Sequence, residues 1–230
     1  MIKSNITDIN NEIKSVCTSC GRDISDVTLI AVSKTKPTSD IEVAYSENIR
    51  DFGENKVQEL CDKYPVLPND IKWHLIGHLQ TNKVKYIIDK VHLIHSVDSF
   101  HLANQIEKEA SKRNIDVNIL IQVNVSNEET KFGLKFEETI EMIKAISNLE
   151  HIHIKGLMTI APFTDEAEDN RIYFRKLKEL SLEIDKLCIP NVEMKELSMG
   201  MTGDFKVAIE EGATLVRVGT AIFGNRNYNK

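Results

Sequence analysis

Hydrophobic positions along the chain follow two alternating rhythms. Short unbroken apolar runs occur at 27–32, 49–52, 71–76, 93–96, 117–123, 152–158, 194–198 and 214–218. Runs of this kind, rich in β-branched residues, mark strands buried on both faces. Between them apolar residues recur at helical spacing. Ile6, Ile9, Ile13, Val16 and Cys17 predict an amphipathic helix ahead of the first strand. Leu102, Ala103, Ile106 and Ala110 share one helix face; Phe136, Ile140, Ile143 and Ile146 share another; Tyr173, Leu177, Leu180, Ile184 and Leu187 share a third. Shorter helical patterns lie at 39–48, 56–63, 81–90 and 204–211. Pro37 stops the first strand, and Ser39-Asp-Ile-Glu42 has the spacing of a capping box that opens the next helix. Eight strands alternating with helices predict the α/β class, as one (β/α)8 TIM barrel domain over residues 1–230 with an extra N-terminal helix. The rival is an open doubly wound sheet, but its Gly-x-Gly-x-x-Gly fingerprint after the first strand is absent.

Composition narrows the function classes. A chain of 230 residues with 41% hydrophobic content can bury a large core. Its net charge of −6 and lack of a Lys/Arg-rich run argue against a nucleic-acid partner. The N-terminus has no apolar leader, and no apolar stretch reaches the ~18 residues of a membrane helix. A cytoplasmic protein without a membrane partner is expected, its four cysteines reduced. Cys17-Thr-Ser-Cys20 is formally a Cys-x-x-Cys, yet it ends a helical pattern and no second pair completes a zinc site.

In a (β/α)8 barrel the chemistry belongs at the carboxyl ends of the strands. Lys34 lies there, where the run from Val27 to Val32 meets its loop. A partly desolvated lysine near a second cation, Lys36, can lose its proton and form a Schiff base with a carbonyl compound. The alternative is a strand-end lysine that snorkels to water. Leu197-Ser-Met-Gly-Met-Thr-Gly-Asp204 and Arg217-Val-Gly-Thr-Ala-Ile-Phe-Gly224 follow the last two strands with glycines and hydroxyls. Barrels often hold a phosphate between these two loops; the alternative is a pair of glycine turns. Asn55, after the second strand, can reach a ligand or cap a helix. Trp73-His-Leu-Ile-Gly-His-Leu-Gln-Thr-Asn-Lys83 brings His74 and His78, and the alternation of strands sends one of Trp73, His74 and Leu75 toward the barrel centre.

These motifs, in this order, resemble the pyridoxal 5′-phosphate (PLP) homeostasis protein family over nearly the whole chain. The resemblance is carried by Ala31-Val-Ser-Lys-Thr-Lys-Pro37, Phe52-Gly-Glu-Asn55, the Trp73–Lys83 segment, His95-Ser-Val-Asp98, Gln122-Val-Asn124, Lys131-Phe-Gly133, Gly156-Leu-Met-Thr159, Leu197-Ser-Met-Gly-Met201 and Val216–Gly224. Thr202 stands where the family usually has serine. The resemblance implies a barrel like the N-terminal domain of alanine racemase, with PLP held as an aldimine on Lys34. It implies Ser198, Gly219 and Thr220 at the phosphate and Arg217 at the pyridine nitrogen. The full set expected at the cofactor is Lys34, Asn55, His78, Ser198, Met199, Arg217, Gly219 and Thr220. The implied role is to carry or buffer PLP without robust catalysis, as a monomer, with PLP-requiring apo-enzymes as partners. A racemase-like PLP enzyme and a cofactor-free Schiff-base aldolase are the alternatives. On the same expectation, no second domain closes the pocket after the eighth strand.

Overall fold

Every apolar run predicted as a strand forms one in the computed structural model, which describes residues 1–128 and 131–225. The strands are β1 (Thr28–Val32), β2 (Asp51–Glu54), β3 (Lys72–Leu75), β4 (Leu93–Val97), β5 (Val117–Asn124), β6 (Leu134–Lys135), β7 (Ile152–Met158), β8 (Val192–Met201) and β9 (Leu215–Val218). In hydrogen-bonded order they run β4-β3-β2-β1-β9-β8-β7-β5, and β4 also pairs with β5. Eight parallel strands therefore close into a barrel, which leaves no edge unpaired. The unanticipated β6 is a two-residue appendage on β5, with Val123 opposite Leu134.

The helices are α1 (Ile2–Ser19), α2 (Thr38–Ser46), α3 (Val57–Lys63), α4 (Val84–Ile87), α5 (Phe100–Arg113), α6 (Thr139–Ile146), α7 (Arg171–Lys186), α8 (Phe205–Glu210) and α9 (Thr220–Phe223). Helix α1 buries Ile6, Ile9, Ile13 and Cys17 and packs against α2, α8 and α9. It completes the outer layer where α9 is only one turn long, and Asn5 Nδ2 donates to Ile222 O at its end. Among the described residues no helix is long and apolar enough to cross a membrane. Residues 226–230, the end of the expected domain, lie outside the described residues.

Several boundaries differ from the sequence expectation. Strand β2 starts at Asp51 and not at Ile49, because the Ile49 N–H is taken by Ala44 O at the end of α2. Helix α2 starts at Thr38 with Pro37 as its extended boundary residue, so Ser39 is inside the helix and no side chain caps it. In α7 the buried stripe is Phe174, Leu177, Leu180, Ser181 and Ile184; Tyr173 is only half-buried and Leu187 lies past the helix end, exposed.

Two apolar compartments result. The larger lies between barrel and helices and contains Phe52, Trp73, Phe174 and Met199. The smaller, Ile30, Leu93, Leu120, Met158 and Leu215, comes from the opposite side-chain phase of the strands and fills the barrel interior. Asp51, His74, His95, Ser198 and Arg217 share that inward phase, so the interior is partly polar.

Candidate functional site

A cavity of about 500 Å³ opens at the carboxyl ends of the strands. Lys34, Lys36, Asn55, Arg217, Gly219 and Thr220 line it, as do Ile76 and the loop Met201–Asp204. The segment after β7 supplies its outer wall through Ile160, Pro162 and Phe163, the last 95% exposed.

The turn that carries Lys34 is fastened on both sides. Ser33 Oγ donates to Glu54 Oε1 at 2.6 Å. The next residue, Thr35, has φ +64°, a left-handed conformation unusual for a β-branched residue. Its N–H is held by Glu59 Oε1. Lys63 Nζ joins these groups, donating to Ser33 O at 2.9 Å, to Glu54 Oε1 at 2.7 Å and to Glu59 Oε1 at 2.7 Å. Glu54 is fully buried, and burial raises its carboxyl above the ordinary value although Lys63 pulls it down. Lys34 itself is half-buried. Lys36 Nζ instead binds the carbonyls of Phe223 at 2.9 Å, Gly224 at 3.1 Å and Asn225 at 3.2 Å. It thereby ties the first loop to the last.

Arg217 is buried on β9. Its Nη1 donates to Ser198 Oγ and its Nη2 to Thr159 O at 2.8 Å. Burial lowers its guanidinium to about 10, against the opposing field of Asp204, so it remains a cation at neutral pH. Asp204 accepts from the Met201 N–H at 2.6 Å and from Asn170 Nδ2 at 2.8 Å. Asn170 Nδ2 also reaches Pro162 O at 3.0 Å. The loops after β7 and β8 are thus joined at the cavity wall. Gly200 makes the bend before them: its φ is +88°, and a Cβ there would lie 2.6 Å from Ala208 Cβ. After β9, Gly219 and Thr220 open the single turn of α9, whose leading N–H groups have no partner inside the helix.

Three residues expected at the cofactor are not among those that line the cavity. Ser198 does not line the cavity; its hydroxyl lies inside the barrel between Arg217 and His95 Nδ1, 2.8 Å from the latter. Met199, one position on, points to the opposite face and is fully buried against the helical layer. His78 stands outside the cavity, stacked on Phe132 at 4.1 Å and 3.6 Å from Asp98. Lys34, Asn55, Arg217, Gly219 and Thr220 are brought together. Asn170 and Phe163 at the wall carried no sequence signal, and Asp204 and His95 stood out only as members of longer motifs. His95 had a readable signal, since its place two residues after Leu93 in β4 gives it the same inward phase.

The cavity suits a small aldehyde that carries a phosphate. An amine, a cation and a glycine-hydroxyl loop converge on it, and Asn55 Oδ1, which lines it, is buried without a hydrogen-bond partner. Such an orphan acceptor is costly unless a ligand satisfies it.

Comparison with known proteins agrees with that chemistry. Residues 5–227 match the family model described as alanine racemase, N-terminal domain. A pyridoxal phosphate homeostasis protein of Aquifex aeolicus is 48% identical over 217 residues, 94% of each chain. A crystal structure of an unknown protein from Bifidobacterium adolescentis superposes with a TM-score of 0.93 at 36% identity, covering 96% of this chain and 94% of that one. The structure of PipY of Synechococcus elongatus PCC7942 with PLP bound superposes with a TM-score of 0.81 at 32% identity, covering 97% and 100%.

Proposed function

We propose, from the premise that this chain belongs to the pyridoxal phosphate homeostasis proteins of the alanine racemase N-terminal domain family, that it binds PLP covalently through Lys34 and buffers or carries the cofactor. The observation that carries the proposal is the meeting of Lys34, Arg217, Asn55 and the Gly219-Thr220 turn around one cavity. Lys34 Nζ supplies the amine for an imine with the cofactor aldehyde. Gly219, Thr220 and the Thr202-Gly203 loop offer amides and hydroxyls to the phosphate. Arg217, which lines the same cavity, would hold the pyridine nitrogen. A bound PLP supplies an electron sink for amino-acid chemistry. Arginine has donors only, so it would bond the nitrogen's lone pair and would not favour a further proton there. The sink is then weak, which suits storage better than turnover. The names of the relatives support the same division of labour.

The test is borohydride reduction of the PLP-loaded protein followed by mass spectrometry. The expected label is on Lys34; Lys34→Ala loses both the label and the yellow colour, and Lys36→Met keeps the label. A label on Lys36 or a colourless wild type overturns the assignment. Formation of D-alanine from L-alanine at enzyme-like rates, about 1 s⁻¹ or faster, would replace the carrier reading with a racemase-like one.

A further inference from the structure

We propose that Asp51, His74, His95 and Ser198 form a one-way hydrogen-bonded relay through the barrel interior that positions Arg217 for the cofactor. The relevance to PLP rests on the cavity reading above; the relay itself does not. Asp51 is the first residue of β2, at the rim opposite the cavity. Its Oδ1 lies 3.0 Å from His74 Nε2. His74 Nδ1 lies 2.9 Å from His95 Nε2, and His95 Nδ1 lies 2.8 Å from Ser198 Oγ. Arg217 Nη1 closes the string on the same hydroxyl. Five residues on five strands therefore connect one end of the barrel to the other.

The two ends dictate the direction. A guanidinium only donates, so Ser198 Oγ accepts from Arg217 and must place its own proton elsewhere. Among the described residues its only other hydrogen-bond partner is His95 Nδ1, which is therefore bare. His95 then carries its proton on Nε2 and donates to a bare His74 Nδ1, and His74 donates from Nε2 to the Asp51 carboxylate. Every donor meets one acceptor. The reverse direction would strand the Ser198 proton in a site with no solvent exposure, at the cost of an unsatisfied buried donor. It would also make His74 a second cation in the string that holds Arg217. The other charged or titratable groups near the two rings, His92 edge-on to His74 at 5.7 Å and Lys72, bring no negative charge. Asp51 is the carboxylate that faces this string. Aligned hydrogen bonds polarise one another in a low dielectric. The relay thus presents the negative end of Asp51 to a guanidinium on which Asp204 acts only through its field, no contact ion pair being formed among the described residues. It fixes Nη1 while Thr159 O fixes Nη2, which holds the guanidinium at the cavity wall.

Long-range nitrogen–proton NMR correlation on histidine-labelled protein at neutral pH reads the tautomers directly and needs no cofactor. Neutral rings protonated on Nε2 at both His74 and His95 are expected; a proton on Nδ1 of either ring overturns the relay. In the PLP-loaded protein, Asp51→Ala is expected to mix the His74 tautomer, to move the His95 ring signals through the hydrogen bond the two rings share, and to shift the absorption band. It should weaken PLP about fivefold, the worth of one net hydrogen bond. Asp51→Asn, whose side-chain oxygen still accepts, is expected to restore the wild-type band. If Asp51→Ala leaves the His95 signals and the band unchanged, the relay is wrong. If the variant does not fold, the wild-type tautomers decide. A protein that shows the expected tautomers but takes no label on Lys34 would fail the cavity reading and keep the relay.

Discussion

Two lysines two residues apart have been given different work by their surroundings. Lys34 lines the cavity on a turn fastened by Ser33, Glu54 and Glu59, whereas Lys36 is spent on three backbone carbonyls of the last loop. Removing Lys36 is therefore expected to act on retention and not on attachment: Lys36→Met should release PLP faster, measured by transfer to a scavenging apo-enzyme, with the Lys34 label intact. Thr220 is the residue to test for the phosphate. A hydroxyl bonded to a charged group is worth about 1.5–3 kcal/mol. Thr220→Val should weaken PLP roughly ten- to a hundredfold and leave unphosphorylated pyridoxal nearly unchanged, as read by titration of the two ligands in parallel. Equal losses would move the phosphate elsewhere.

At the scale of elements, the first turn is held from beneath by a helix. Lys63, the last residue of α3, is buried between Glu54 of β2, Glu59 one turn back and the carbonyl that precedes Lys34. The pair Lys63–Glu54 lies at 2.7 Å with almost no exposure. Breaking such a pair by removing one partner leaves an uncompensated buried charge and costs about 3–5 kcal/mol. Lys63→Met should lower the urea midpoint accordingly, and adding Glu54→Gln should recover a large part of the loss. The same variants should loosen the left-handed Thr35 turn, so PLP affinity falls with stability in the single variant and recovers with it in the double. Stability that falls by less than 1 kcal/mol in Lys63→Met, roughly the value of an exposed pair, would show that the pair is solvated.

Across the whole molecule, the polar string through the barrel links acid stability to one histidine. Burial first, then the nearby Arg217 guanidinium, hold His95 well below its ordinary value of 6.5. The folded protein keeps His95 neutral while the unfolded chain takes up a proton there. Folded and unfolded states differ in bound protons only below the unfolded value, so stability is complete above about pH 6.5 and falls as the pH drops below it, by about 1.4 kcal/mol per unit for one proton. Asp51, depressed by its bond to His74 against the pull of burial, adds a second loss only on approach to its ordinary 3.8. His151, raised by its bond to Glu107, works in the opposite sense, its contribution present below 6.5 and lost as pH rises past its folded value; it lies at the surface and weighs little. Urea unfolding in steps from about pH 8 to pH 5 should show the decline beginning near neutrality. A flat profile over that range would mean that His95 takes up its proton in the fold as readily as in the unfolded chain.

The sequence by itself determined the architecture and the rim on which Lys34, Gly219 and Thr220 meet. Strand and helix periods are local properties, so the runs at 27–32, 117–123 and 152–158 and the buried stripe of α5 were legible without any contact being known. Lys34 and the glycine-hydroxyl loop of Gly219 and Thr220 were legible because strand ends of a barrel share one rim. The sequence did not determine which neighbours meet across the barrel. Ser198 and Met199 are adjacent in the chain, yet strand alternation sends one inside to His95 and the other outside to the helices. His78 has the residue type of a ligand, and only the fold shows that it stacks on Phe132 and is not among the residues lining the cavity. The capping box at Ser39 lost to the fixed backbone of Pro37. Asp51, His74, His95, Ser198 and Arg217 are far apart in sequence, and only closure of the sheet, which brings β4 next to β5 and β9 next to β1, places them in one hydrogen-bonded line.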